Sequence, residues 1–300
     1  MLVIVAPGQG AQTPGFLSPW LEIPGFRDRL SAWSEIAGLD LIGYGTTADA
    51  DEIKDTAVAQ PLLVASALAA YEALGVAPDL VAGHSVGEFA AATIAGVLTV
   101  EQSLTLIRER AQAMAKAATA TATGMTAVLG GVDVLESVEK HGLTPANMNG
   151  AGQIVAGGTL EQLAAFKADP PQRARLIALS VAGAFHTEHM APAVAQLRAA
   201  AAGVTPADPA VPLLSNADGA LVETGADLLE RLVAQVSRPV RWDLCMAAMA
   251  DRGVTTMIEL LPGGTLAGLA KRGLTGVRAV ALKTPDDLET ARTAAKEALQ

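Results

Sequence analysis

The pentapeptide Gly83-His84-Ser85-Val86-Gly87 constrains this chain more than any other stretch. The short apolar run Asp79-Leu80-Val81-Ala82-Gly83 leads into the serine, and Phe89 to Ala95 reads as helix after it. A strand that turns directly into a helix brings together the residues two before and two after the serine. Only glycine fits at those positions without a Cβ clash. Ser85 then stands at a helix N-terminus, where free amides point toward its hydroxyl. Such a strand–elbow–helix unit predicts an α/β fold with a buried parallel sheet.

The rest of the chain agrees. Leu2 to Ala6 reads as a buried strand ended by Pro7-Gly8, and Pro61 opens a helical stretch that stops at Gly75. Glu101 to Ala117 reads as an amphipathic helix with apolar residues at 104, 107, 111 and 114. Aromatic residues make up only 3% of the chain, so the apolar content is mostly aliphatic, which favours helices packed closely on a sheet. The texture changes near Thr119, where Thr-Ala repeats run into Gly124, read as a hinge. Strands at Met125–Leu129, Thr144–Met148, Gln153–Ala156 and Arg175–Ala178 and helices at Val134–Lys140 and Leu160–Ala168 follow, in the order βαββαβ. That is a ferredoxin-like arrangement. The expected organisation is a catalytic α/β core formed by residues 1–123 and 183–300, interrupted by a small subdomain at 124–182. From Met190 the pattern of the larger unit resumes, through Val211–Ser215 and Thr256–Leu261.

Composition excludes several functions. The chain carries 21 Lys+Arg against 31 Asp+Glu, a net charge of −10, which argues against nucleic-acid or anionic-membrane binding. A single cysteine, Cys245, rules out an internal disulfide framework and any Cys-rich metal site. Cys245 lies in an apolar helical stretch and reads as a packed thiol. No Lys or Arg precedes Arg27, and prolines and glycines interrupt the first 21 residues, so neither a secretory signal nor a membrane span is expected. A cytoplasmic, acidic globular protein is.

A serine needs a base. Of the four histidines, His84 adjoins the serine and should project elsewhere, and His141 sits at a helix end in the small unit. His186 and His189 follow the last strand of that unit, where the chain returns to the large one. His186 is the better choice of the two, with His189 its surface neighbour. The helix at 101–117 carries two arginines, Arg108 and Arg110, each about 80° from the centre of the apolar stripe, and the helical wheel does not choose between them.

Four segments carry a resemblance to malonyl-CoA:acyl carrier protein transacylases of fatty acid and polyketide synthesis: Pro7-Gly8-Gln9-Gly10-Ala11-Gln12, Gly83-His84-Ser85-Val86-Gly87-Glu88, Gly183-Ala184-Phe185-His186 and Glu259-Leu260-Leu261-Pro262-Gly263-Gly264. The resemblance implies a hydrolase-like α/β core with a ferredoxin-like insertion. It implies Ser85 as nucleophile, His186 as base, and the backbone carbonyl of Gln235 as the acceptor that orients the imidazole. The N–H groups of Gln9 and Val86 become the oxyanion donors. Arg110, four residues before Met114, becomes the arginine that binds the malonyl carboxylate, and Phe185 marks a preference for malonyl over methylmalonyl. His84, Gln60, Asn149 and Gln153 match positions that line or brace the cleft. Ala115 and Gly183 depart from the pattern, where Gln and, in polyketide transferase domains, His are frequent.

The implied reaction is a ping-pong transfer from malonyl-CoA to an acyl carrier protein by a monomer that uses no cofactor and no metal. A discrete polyketide-pathway acyltransferase and a serine thioesterase or hydrolase are the alternatives. The latter would more often use an Asp or Glu third member and has no need of a carboxylate-reading arginine. An acidic carrier would need a local basic patch, for which Lys271, Arg272 and Arg278 are candidates.

Overall fold

The computed structural model describes residues 1–298. Its first strand, β1 (Leu2–Ala6), is entirely buried and lies inside a parallel sheet, between β2 (Leu80–Gly83) and β7 (Thr256–Glu259), with β8 (Arg278–Ala281) outside β7. Its side chains alternate: Leu2, Ile4 and Ala6 face the larger core, while Val3 and Val5 pack against Trp242, Met246, Met249 and Leu269 on the other side. A continuous apolar run therefore sits in a sheet covered on both faces. Ala6 stands opposite Gly83 in the β1–β2 register, so the loops after both strands leave the same edge side by side. That register brings the Pro7–Gly10 segment to the serine elbow.

Helices α1 (Phe26–Ala37), α2 (Leu41–Thr46) and α3 (Thr56–Leu74) separate β1 from β2. α3 begins five residues earlier than the Pro61 reading placed it. Asp55 caps it by accepting the Ala57 N–H, and Pro61 lies inside, in its second turn. Long and apolar enough to span a bilayer by length alone, α3 is buried within the protein on nearly all sides. α4 (Gly87–Ile94) and α5 (Val100–Ala118) follow β2, and Thr99 and Gln102 form a reciprocal cap at the start of α5.

A short turn leads from α5 directly into β3 (Thr123–Leu129). Gly124 is paired with Gly158 inside that strand, so the expected hinge is regular sheet. α6 (Val134–Lys140), β4 (Thr144–Gly150), β5 (Gln153–Thr159), α7 (Leu160–Ala168) and β6 (Arg175–Ala178) complete a second, antiparallel sheet ordered β4-β5-β3-β6. Val128, Ala156, Val138 and Phe166 form a core between this sheet and its two helices. The neighbouring residues Ala127 and Val155 point the other way and join the core of the large unit. Strand periodicity of two thus gives the small sheet two apolar faces, one of which docks it.

α8 (Ala191–Ala201), α9 (Gly225–Gln235), α10 (Trp242–Asp251), α11 (Thr265–Gly273) and α12 (Asp287–Ala298) belong to the large unit. Val211–Ser215 forms only isolated bridges, Val81 to Leu213 and Leu214 to Leu221. The conspicuous Glu259–Gly264 segment has a structural explanation. The Glu259 carboxylate, buried at the end of β7, accepts the N–H groups of Gly264, Leu266 and Ala267 at 2.7, 2.9 and 2.8 Å and so closes the N-terminus of α11.

Candidate active site

Ser85 holds φ = +53°, the left-handed region. A Cβ at Gly83 would collide with the Gly87 carbonyl, and one at Gly87 with the Ala6 carbonyl, so both glycines are fixed by close backbone approach. Asn216 clamps the turn. Its Oδ1 accepts the Ser85 N–H at 2.7 Å, and its Nδ2 donates to the Gly83 carbonyl at 2.6 Å. Asn216 follows the Leu213–Leu214 bridges beside β2, which bring it under the elbow.

His186 comes from the loop between β6 and α8. Thr187 Oγ1 donates to the Ala184 carbonyl at 2.6 Å, the Ala184 N–H donates to Thr123 Oγ1 at 3.0 Å, and the tight turn leaves His186 at φ = +60°. Its Nδ1 lies 2.8 Å from the Gln235 carbonyl oxygen and its Nε2 lies 2.7 Å from Ser85 Oγ. A carbonyl only accepts, so Nδ1 carries the proton and Nε2 presents its lone pair to the serine hydroxyl. Burial and the nearby Arg110 charge push His186 down to about 3, which keeps the ring neutral at physiological pH.

Of the two arginines on α5, Arg108 turns outward to the Ile36 carbonyl and Glu109, while Arg110 is 1% exposed. Arg110 Nη1 donates to Gln60 Oε1 at 2.6 Å, Nη2 donates to Gln235 Oε1 at 3.1 Å, and the guanidinium carbon sits 5.9 Å from the Phe89 ring centre. Its Nε is buried without a hydrogen-bond partner among the described residues. Desolvation lowers Arg110 to about 10, still a cation at neutral pH. Gln235 is the junction: its backbone holds His186, and its side chain holds Arg110 and, through Nε2, the Glu88 carboxylate.

The remaining expected residues fall around this centre. Gln9 reaches Thr56 with its side chain at 3.4 Å, and among the described residues neither the Gln9 nor the Val86 N–H donates to a backbone carbonyl. His84 Nε2 and Asn149 Oδ1 meet at 2.9 Å, and the His84 ring packs edge-on to Trp242. Phe185 is buried beside His186. Gln60 lies against Arg110 and Met114.

His141 packs edge-on to Phe166 in the small unit, away from the parallel sheet that carries the serine. Cys245 is buried against the Ser215 carbonyl, its thiol raised by desolvation, as expected of a packed side chain. Among the basic candidates, Arg278 is engaged in an ion pair with Glu297, and Arg272 reaches Gln153. Ala115 lines a cavity of about 520 Å³ with Thr56, Thr119 and Val181. A Cβ at Gly183 would lie 2.9 Å from Ala118 Cβ, which explains why a bulkier residue is absent there.

Sequence reasoning gives Asn216 and Glu88 no role. Each had a signal: a polar pair, Ser215-Asn216, ends an apolar stretch, and Glu88 sits alone in a helix start that is otherwise apolar.

Residues 3–294 match the acyl transferase domain family. The malonyl CoA-acyl carrier protein transacylase of Mycobacterium tuberculosis is 52% identical over 297 residues, covering 96% of this chain and 98% of that one. The Bacillus subtilis protein of the same name is 32% identical over 310 residues, covering 99% and 98%. The crystal structure of the M. tuberculosis protein superposes with a TM-score of 0.94 at 51% identity, over 97% of this chain and 99% of that one. A malonyl-transacylase solved in complex with its type II polyketide synthase acyl-carrier protein gives 0.90 at 29% identity, over 97% and 99%. With the family match running almost from end to end, the chain belongs to the acyl transferase domain family.

Proposed function

We propose that this protein transfers the malonyl group from malonyl-CoA to the phosphopantetheine thiol of an acyl carrier protein through a malonyl ester on Ser85. One observation carries the reading. A buried arginine whose Nε has no partner among the described residues is joined through Gln235 to the imidazole that contacts the serine. A guanidinium so placed offers a carboxylate two parallel hydrogen bonds, which a lysine cannot copy.

Ser85 Oγ attacks the thioester carbonyl while His186 Nε2 takes its proton. Charge on the tetrahedral oxygen meets the N–H groups of Val86 and Gln9, worth roughly 3–4 kcal/mol each in comparable sites. Collapse breaks the C–S bond, and His186 returns the proton to the departing thiolate. The malonyl carboxylate stays on Arg110, with Gln60 and Gln235 bracing the guanidinium. The carrier's thiol then attacks the ester, His186 again taking and returning the proton, and Ser85 is released. Phe185 restricts the space beside the acyl group. His84 and Asn149, bonded to each other, brace the other wall.

The names of the relatives support malonyl-CoA and an acyl carrier protein as substrates, and the partner in the solved complex supports carrier docking. We read the large unit, 1–123 with 183–300, as a hydrolase-like α/β core. We read 124–182 as a ferredoxin-like subdomain whose inner sheet face screens the cleft from water. A chain of this kind works in the cytoplasm without a cofactor.

Intact-mass measurement after mixing with malonyl-CoA tests the proposal. A malonyl adduct is expected on the wild-type chain, absent from Ser85→Ala and much reduced in Arg110→Ala, with little adduct from acetyl-CoA. Steady hydrolysis of malonyl-CoA without carrier protein would instead indicate a thioesterase.

A further inference from the structure

Glu88 brings a carboxylate into the buried network and takes no part in the steps above. It is 2% exposed. Its Oε1 accepts the Asn216 N–H at 2.6 Å, and its Oε2 accepts Gln235 Nε2. A carboxylate has no hydrogen to donate, and a guanidinium has no acceptor. The Gln235 side chain lies between one of each. With its NH2 turned to Glu88, its oxygen faces Arg110, where it accepts from Nη2 at 3.1 Å. Reversed, it would set two donors against each other at the guanidinium and two acceptors at the carboxylate.

We infer that Glu88 is a positioning residue for substrate selection: it fixes the orientation of the Gln235 amide, which in turn fixes the Arg110 guanidinium for the incoming carboxylate. The inference rests on the malonyl reading of the site. The same carboxylate secures Asn216, so the elbow that carries the nucleophile and the arginine that selects the substrate share one anchor. Burial outweighs the Asn216 N–H and the Arg110 charge and raises Glu88 to about 8, so the ionised form is fully present only above that pH. The two N–H donors aimed at its oxygens are the geometric reason to read a carboxylate here.

Glu88→Gln tests this. The introduced amide must keep its oxygen on the fixed Asn216 N–H, which turns its NH2 toward Gln235. The Gln235 amide then reverses and presents a donor to Arg110. The expected result is a KM for malonyl-CoA raised roughly 10- to 100-fold, the range for one unsatisfied buried group. The change in kcat should be smaller, and Ser85 acylation by acetyl-CoA should stay near its wild-type level. The reversed pair Glu88→Gln with Gln235→Glu restores a matched donor and acceptor, so its melting temperature should recover toward wild type while its malonyl KM stays high.

Wild-type KM and malonyl-to-acetyl selectivity in Glu88→Gln would overturn the inference. So would a reversed pair that folds no better than a destabilised Glu88→Gln. If the wild-type chain itself is not acylated by malonyl-CoA, the parent reading falls. If it is, and Glu88→Gln is equally selective, only the role of Glu88 falls.

Discussion

Ser85 Oγ and His186 Nε2 meet at 2.7 Å although both residues hold left-handed backbone, with φ of +53° and +60°. For an L-residue other than glycine that conformation costs about 1–2 kcal/mol. The serine and the imidazole are both side chains that the backbone carries at a cost, kept in place by the Asn216 clamp on one side and the Thr187–Ala184 turn on the other.

The elbow strain separates two inactive variants. Ser85→Gly and Ser85→Ala both remove the proposed nucleophile, but only the glycine relieves the positive φ. Ser85→Gly should be the more stable by about 1 kcal/mol in chemical denaturation. Equal stabilities would show that the surroundings, not the side chain at position 85, set the strain.

The clamp makes its own prediction. Asn216→Ala leaves the Ser85 N–H and the Gly83 carbonyl buried without their present partners, at about 1–3 kcal/mol for each group. Both stability and the rate of Ser85 acylation should fall, the rate because the hydroxyl loses its aim at His186. Single-turnover acylation beside a melting curve checks this, and an unchanged rate in a destabilised protein would make Asn216 a purely structural residue.

Much of this arrangement was legible in the sequence for identifiable reasons. Gly83, Ser85 and Gly87 form a steric pattern that survives any context, and the apolar runs at Leu2 and Leu80 could be little else than buried strands. The helices at 134–140 and 160–168 fall on the expected residues, the second with a local signal at its start, the reciprocal cap of Thr159 and Gln162. Pro61 misled because a proline more often opens a helix than enters one, and the Asp55 cap overrode that rule. Gly124 read as a hinge because its cross-strand partner, Gly158, is remote in sequence. The choice between Arg108 and Arg110 lay beyond the helical wheel, since it depends on Gln60 and Gln235, which come from other helices. Asn216 and Glu88 stayed unassigned for the same reason: their importance is entirely in long-range hydrogen bonds.

The two arginines should separate cleanly. Arg110→Met removes the buried guanidinium and should lower malonyl acylation by at least about 100-fold while raising the acetyl-to-malonyl ratio, because lost charge-assisted bonds to a buried carboxylate cost roughly 3–5 kcal/mol. Arg108→Ala, at a half-exposed position on the same helix, should leave both rates near wild type. Acylation rates with each thioester decide it, and comparable losses in the two variants would contradict the assignment of Arg110.

The pH dependence of stability follows from two buried groups displaced in opposite directions. His186 moves from its ordinary 6.5 down to about 3, so unfolding takes up a proton between those values and stability rises with pH across them. Glu88 moves from 4.5 up to about 8, so unfolding releases a proton in that interval and stability falls as pH rises through it. Each slope is about 1.4 kcal/mol per pH unit. Where the intervals overlap, from 4.5 to 6.5, the two slopes cancel, leaving a plateau with losses on both sides. Urea denaturation across the acid and alkaline ranges should trace that shape. His186→Ala should flatten the rise below 4.5 and turn the plateau into a decline, so that stability falls from 4.5 through 8 on the Glu88 slope alone. An acid limb that survives His186→Ala unchanged would place the proton uptake on a different group.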